Sequence, residues 1–295
     1  MSGFIPATRF EQSPILEIRF PPMPRTVTEV SHLLAEQNQV PDTSRLVEVV
    51  NEDPVVAVSV LRRINSAYYG MRRRVGDIQK AVFLLGFLEV CNIVLTAGMM
   101  KMRDVLHSEE QAHIFEKIMQ MSIGAAHYAQ ELCLYLQMPN RSTSFTAGLL
   151  HAVGRLVLLY NKPHDYEALW CTGANGNPPT IEDERLIFGT DHAQLGALAA
   201  DRWHLPADLV HVIGHHPNPS QIEDADLRDL ARAVLIGSLA VQQLDMVDGA
   251  ERKFEDNGAV AALAAARGAD AASLVELLES SCPFAFDYFE QASVE

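Results

Sequence analysis

The chain has 295 residues, 48% hydrophobic and 21% charged, with a formal net charge of −15, a balance that excludes a wholly disordered polymer and allows a sizeable core. Residues 1–140 hold 13 Lys and Arg against 15 Asp and Glu, whereas residues 141–295 hold 10 against 23. The acidic second half repels polyanions, so general nucleic-acid binding is disfavoured.

Taken in chain order, MSGFIPATRFEQS lacks a basic segment followed by an apolar one, so no secretory signal is expected and the cytoplasm is the default. ILEIRF at 15–20 is the one short stretch that reads as extended. Pro21, Pro22 and Pro24 interrupt it. RTVTEVSHLLAEQ then restarts as a helix with Val27, Val30, Leu33 and Leu34 on one face. Asp42 opens the next helix, and Asp53-Pro54 reads as an N-cap with proline in the first turn of a third. That third helix is predicted to run to about Tyr69 and stop at Gly70. Asp77 caps another, which ends or kinks at Gly86 before FLEVCNIVLTAGMM. The apolar stretch 81–100 carries Glu89 and Asn92 and keeps a helical period, so it reads as buried helix and not as a membrane span.

A long helix is predicted from Ser108 to about Gln137, with Ile114, Ile118, Met121, Ala125, Tyr128 and Leu132 as a bundle-core stripe. STSFTAGLLHAVGRLVLLY reads as one further buried helix, and CTGANGNPPT at 171–180 as a loop. Thr180 with Asp183, and Asp191 with Gln194, read as capping pairs. Pro206 starts ADLVHVIGHH, a helix spans about Asp226 to Leu244, and Asp270 caps AASLVELLES. The fold class is therefore all-α. Cys91, Cys133, Cys171 and Cys282 lack metal or disulfide spacing and fit idle thiols in a reducing compartment.

Two groups of residues stand out. Arg62, Arg63, Arg72, Arg73 and Arg74 crowd LRRINSAYYGMRRR in the near-neutral half, either as a solvated face or as a site for an acidic partner or a phosphate. His151 lies within a helix, His192 at a helix start, and His215 and His216 at a helix end, where a metal site in a bundle could assemble. Spacing alone does not bring them together. A buried, hydrogen-bonded histidine is the commoner explanation for each.

The order of FPPMPR, NEDP, LRRINSAYYG, and Ile78 through Ala81 to Leu85-Gly86, followed by AGLLHAVGRLVL, GTDHAQLGALAADRWHLP and VIGHHPNP, resembles the HD-related output domain (HDOD) family. The resemblance covers about residues 15–245 and implies a two-lobed helical bundle, an N-terminal lobe at about 15–105 and an HD-like lobe at about 106–245, with 246–295 as a C-terminal helical extension. It further implies a bacterial signalling or regulatory module related to HD phosphohydrolases. Active relatives hold divalent metals with a histidine, a His-Asp pair, further histidines and a final aspartate. Here His151 matches the histidine of the pair, but Ala152 stands at its aspartate. His192, His215 and His216 match the later histidines, while Met121 and Ser238 fall near the first histidine and the last aspartate. Without those carboxylates two hard cations cannot be bridged. The expectation is a degenerate metal site with no catalytic residues and no cofactor. The chain is expected to act through a signalling protein in trans or a regulator related to cyclic dinucleotides, with a homodimer also compatible. The competing expectations are a metal-dependent phosphohydrolase of nucleotides or cyclic dinucleotides and a nucleotide sensor without turnover.

Overall fold

Side-chain caps set most helix starts in the computed structural model, which describes residues 18–35, 41–66, 69, 71, 73–106, 108–172, 178–245 and 253–292, with side chains of the last helix through Ser281. Helix α1 (Arg25–Ala35) buries Val27, Val30 and Leu34 at helical spacing. Asp42 starts α2 (Thr43–Glu52) by accepting from Arg45 N at 2.9 Å. Asp53 starts α3 (Pro54–Ile64) by accepting from Val55 N and Val56 N, and it also pairs with Lys101.

Helix α3 stops at Ile64, short of the expected Tyr69–Gly70 boundary; Gly70 itself lies outside the described residues. Asn65 is the cause. Its Nδ2 donates to Leu61 O at 2.7 Å and Val75 O at 2.8 Å, and its Oδ1 accepts from Val75 N at 2.7 Å. The amide thus replaces the next helical turn and straps the returning chain to the helix end.

Asp77 caps α4 (Ile78–Leu85), and Gly86, at φ 88°, turns the chain into α5 (Phe87–Met100). The axes of these segments differ by 116°, a bend that places a residue in a backbone region open to glycine. From Val90 to Met99 α5 is buried on all sides, which explains its unbroken hydrophobicity. It packs against α1 and α3 and completes the N-terminal lobe. Among the described residues no single helix is long and apolar enough to cross a membrane, and none forms a strand; residues 18–20 of the segment expected to be extended carry no regular structure.

The second lobe is built on α6 (Glu109–Tyr135), capped by Ser108 and nearly as long as expected. STSFTAGLLHAVGRLVLLY does not form one helix. It breaks into α7 (Ser144–Leu150) and α8 (Val153–Asn161), with His151 and Ala152 at the break. Next come α9 (Pro163–Thr172), α10 (Ile181–Phe188), α11 (His192–Arg202), α12 (Ala207–His215) and α13 (Ala225–Ala240), the last extended by a π turn, Val241–Asp245. Thr180 and Asp183 form a reciprocal capping box on α10. Asp191 caps α11 through Gln194 N, while the Gln194 side chain accepts instead from Thr190. Helices α6, α7 and α13 pack on one another, α11 packs on α8 and α12, and α12 reaches α7.

The C-terminal extension is part of the same body. Helix α14 (Ala259–Arg267) packs on α13, and α15 (Ala271–Ala292) packs on α6, α3 and α5, touching both lobes. Further bonds tie the lobes: Trp203 Nε1 donates to Pro21 O at 3.1 Å, His32 Nε2 donates to His204 O at 2.7 Å, and Ser142 Oγ donates to Leu34 O at 3.3 Å.

Candidate functional site

The break between α7 and α8 creates the site. Where the helix stops, His151 Nδ1 donates to Gly148 O at 2.6 Å, taking over a carbonyl that the next helical turn would have bonded. His216, at the end of α12, repeats the device on Ile213 O at 2.9 Å. His192 opens α11, and both its backbone N and its Nδ1 bond Glu184 Oε2, at 2.7 and 2.6 Å. The three rings meet with His216 between the others, its centroid 5.0 Å from His151 and 5.4 Å from His192. Because carbonyls and carboxylates only accept, each ring carries its proton on Nδ1 and a lone pair on Nε2.

Burial enforces that neutral state. It pushes His151 down to about 4 and holds His216 and His192 well below the usual histidine range, with the neighbouring rings and Arg155 adding to the effect. The unfolded chain takes protons on these rings below about pH 6.5 while the folded chain does not, so stability falls as pH falls through that window. His151 alone accounts for a loss of about 3 kcal/mol between pH 6.5 and 4. Urea unfolding at pH 7.5, 6 and 5 should show a progressively lower midpoint, with a shallower slope in His151→Gln. A midpoint flat over that range would contradict neutral burial.

Behind the rings lies a buried ion pair that the sequence reading missed. Glu184 is fully buried on α10, and its Oε1 stands 3.2 Å from Arg155 Nη1, which also donates to Pro179 O at 3.0 Å. Burial pushes the Glu184 carboxyl up, while Arg155 and the His192 N–H hold it back. A second pair, Arg185 with Asp191 at 2.7 Å, braces the start of α11. The available signal was Arg155 itself, a cation inside the apolar run GLLHAVGRLVLL, which requires a buried carboxylate somewhere else in the chain.

With this geometry in place, comparison with known proteins identifies the frame. The chain matches the HDOD domain over residues 20–219, more than half its length. It belongs to the HDOD family. Among solved structures, this HDOD chain is similar to an HDOD domain protein of unknown function from Geobacter sulfurreducens, with a TM-score of 0.78, 18% identity, and coverage of 95% of this chain and 96% of that one. It is also similar to a Marinobacter aquaeolei VT8 protein provisionally described as a signal transduction protein, with TM-score 0.71, 23% identity, and coverage of 96% and 62%. A Shewanella amazonensis SB2B protein, provisionally described as a phosphohydrolase, gives TM-score 0.66, 23% identity, and coverage of 93% and 95%. At these identities the likeness is one of fold. An uncharacterized protein of Treponema pallidum (strain Nichols) is 24% identical over 230 residues, 76% of this chain, and the chain spans 42% of that relative's length.

Within the HDOD frame the expected site residues separate. His151, His192 and His216 converge, whereas His215 does not. It turns away to stack on His211, with centroids 5.7 Å apart, and bonds His211 O at 2.9 Å. Ala152 is buried at the helix break, Met121 is buried on α6, and Ser238 is half-buried on α13. Among the described residues no group of three His, Cys, Asp or Glu is placed to hold a metal ion. The acidic group at the rings, Glu184, is bound to the Nδ1 side of His192 and to Arg155, away from the Nε2 lone pairs that a cation would use.

Ala152→Asp tests the burial at that position. The new carboxylate should cost about 1–3 kcal/mol, because Ala152 is 3% exposed and Arg155 is already paired with Glu184. Thermal unfolding in metal-free buffer checks this, and an unchanged or raised Tm would show that the position is solvated.

The arginine cluster also divides. Arg63 turns inward, 3.0 Å from Glu89, with its guanidinium 5.6 Å from the Tyr69 ring centroid. It is therefore part of the lobe's packing. Arg62, Arg73 and Arg74 are exposed, and Arg72 lies outside the described residues.

Proposed function

We propose that this HDOD chain is a non-catalytic signal-transduction module of the bacterial cytoplasm, related to HD phosphohydrolases, that acts by binding a protein partner or a small regulatory ligand. The observation that carries the reading is the commitment of Glu184. A hydrolytic two-metal centre places carboxylates between its cations to bridge them, balance their charge and generate hydroxide near neutral pH. Here the carboxylate nearest the rings is spent on Arg155 and on the Nδ1 face of His192, and a buried methyl group, Ala152, occupies the position where the resemblance requires an aspartate. The three histidines then act as structural groups that close helix ends and pack against one another. Arg62, Arg73 and Arg74 are exposed cations on a chain of net charge −15, suited to an acidic partner acting in trans or to a phosphorylated regulator such as one related to cyclic dinucleotides.

One observation favours a second reading, a metal-dependent phosphohydrolase of nucleotides or cyclic dinucleotides. The Nδ1 bonds of all three rings leave Nε2 unprotonated, the form a metal takes up. Two structural neighbours also carry provisional descriptions as phosphohydrolases, one of them as metal-dependent. Turnover separates the two. Purified protein supplied with Mn²⁺, Mg²⁺ or Zn²⁺ should release no product from bis(p-nitrophenyl) phosphate, nucleotides or cyclic dinucleotides above the protein-free rate. Metal-dependent turnover abolished by His192→Ala would establish the second reading.

A further inference from the structure

Away from the histidine cluster, a cleft of about 720 Å³ opens where the two lobes meet. The N-terminal lobe contributes α1 and the bend between α4 and α5, and the second lobe contributes the end of α6 and the turn after it. Its volume lies within the range of small-molecule sites, and its composition follows the same pattern of apolar walls around a few polar groups. Leu34, Leu85, Leu88 and Leu134 form apolar wall, and Asn92 and Glu131 give it a polar side.

Those polar groups lack a complement of one kind. Asn92 is 2% exposed, and its Nδ2 donates to Gln130 Oε1 at 3.1 Å across the lobe boundary, but its Oδ1 is buried with no donor. Orphaned buried acceptors are rare and call for an explanation. Glu89, also on the cleft, is occupied by Arg63 and Tyr69. Glu131 is different: no hydrogen bond or ion pair engages it among the described residues, and burial pushes its carboxyl up. Arg141 also lines the cleft, as an exposed side chain that forms no ion pair with Glu131. Asn92 Oδ1 is thus a buried acceptor without a donor, and Glu131 is a half-buried carboxylate without an ion pair among the described residues.

We infer that this inter-lobe cleft binds a small organic cation, an amine with an apolar body, whose ammonium group faces Glu131 and Asn92 while its body lies against the leucine wall. Because the walls come from both lobes, occupancy would bias their relative position, which is the coupling a regulatory module needs. The inference deepens the reading of a ligand-responsive module.

Tryptamine and indole-3-propionate share an indole body and a two-carbon arm but carry opposite charges, so they isolate the head group. Calorimetric titration should show tryptamine binding at least tenfold more tightly than indole-3-propionate. Glu131→Gln should weaken tryptamine at least fivefold at unchanged Tm, and Leu134→Trp, at a half-exposed wall position, should block the cleft. Equal binding of the two probes, no binding of either, or tryptamine affinity unaltered in both variants would overturn the inference. Failure here with no phosphohydrolase turnover leaves the proposed function standing, whereas turnover removes that reading and leaves the cleft to be judged by these titrations.

Discussion

Glu184→Ala is expected to cost about 3–5 kcal/mol, because it leaves Arg155 charged, buried and without its carboxylate. It also removes the acceptor for both the backbone N–H and the Nδ1 of His192. Glu184→Gln keeps an acceptor for His192 but not the charge, so its loss should be smaller. The double variant Glu184→Ala with Arg155→Met should recover part of the loss, since removing both charges leaves neither uncompensated. Urea unfolding of the three variants checks the order. Equal stability of Glu184→Ala and the wild type would mean that the pair is solvated and does not fix His192.

Gly154→Ala should cost about 3 kcal/mol, at the upper end for an overpacked contact. A Cβ built at Gly154 would lie 2.0 Å from His192 O and 2.7 Å from Gly196 N, both backbone atoms of α11. No side-chain rotation relieves that overlap, so α8 and α11 must separate, and His192 is displaced with α11. Gly76→Ala is the matched control, since nothing lies within 4 Å of its added methyl, and it should change stability by less than about 0.5 kcal/mol. The imidazole NMR signals of His192 and His216 should shift in Gly154→Ala and stay in place in Gly76→Ala. Similar stability for the two variants would show that the α8–α11 crossing is not fixed by this contact.

Much of the architecture was legible because its determinants are local. Asp42, Asp53, Asp77, Ser108, Thr180, Asp191 and Asp270 each sit ahead of an apolar helical stripe, and each caps the helix that follows. The misplaced boundaries depend on contacts that a linear pattern does not carry. Helix α3 ends early because Asn65 bonds Val75, ten residues on. The run from Ser144 to Tyr160 breaks because Gly148 and Gly154 let separate parts of it approach α6 and α11, and one continuous apolar period hides two helices. In the site, position along the helices suggested four histidines, and three converge. His215 and His216 are adjacent, so at a helix end they point to different sides, and only the second faces His151. Glu184 went unnoticed because it sits in EDER, an acidic run that reads as a helix start, while its partner Arg155 lies 29 residues earlier in the chain.

We propose that the metal chemistry implied by the family resemblance is lost at Ala152, with Glu184 committed to Arg155 and to the Nδ1 side of His192. Metal stoichiometry tests it most directly. Protein purified without chelators and then equilibrated with Mn²⁺, Fe²⁺ or Zn²⁺ is passed through a desalting column and its metal content measured by mass spectrometry, beside His192→Ala prepared in the same way. The account predicts well under one ion per chain, indistinguishable from the variant. Two ions retained per chain, and lost in His192→Ala, would contradict it.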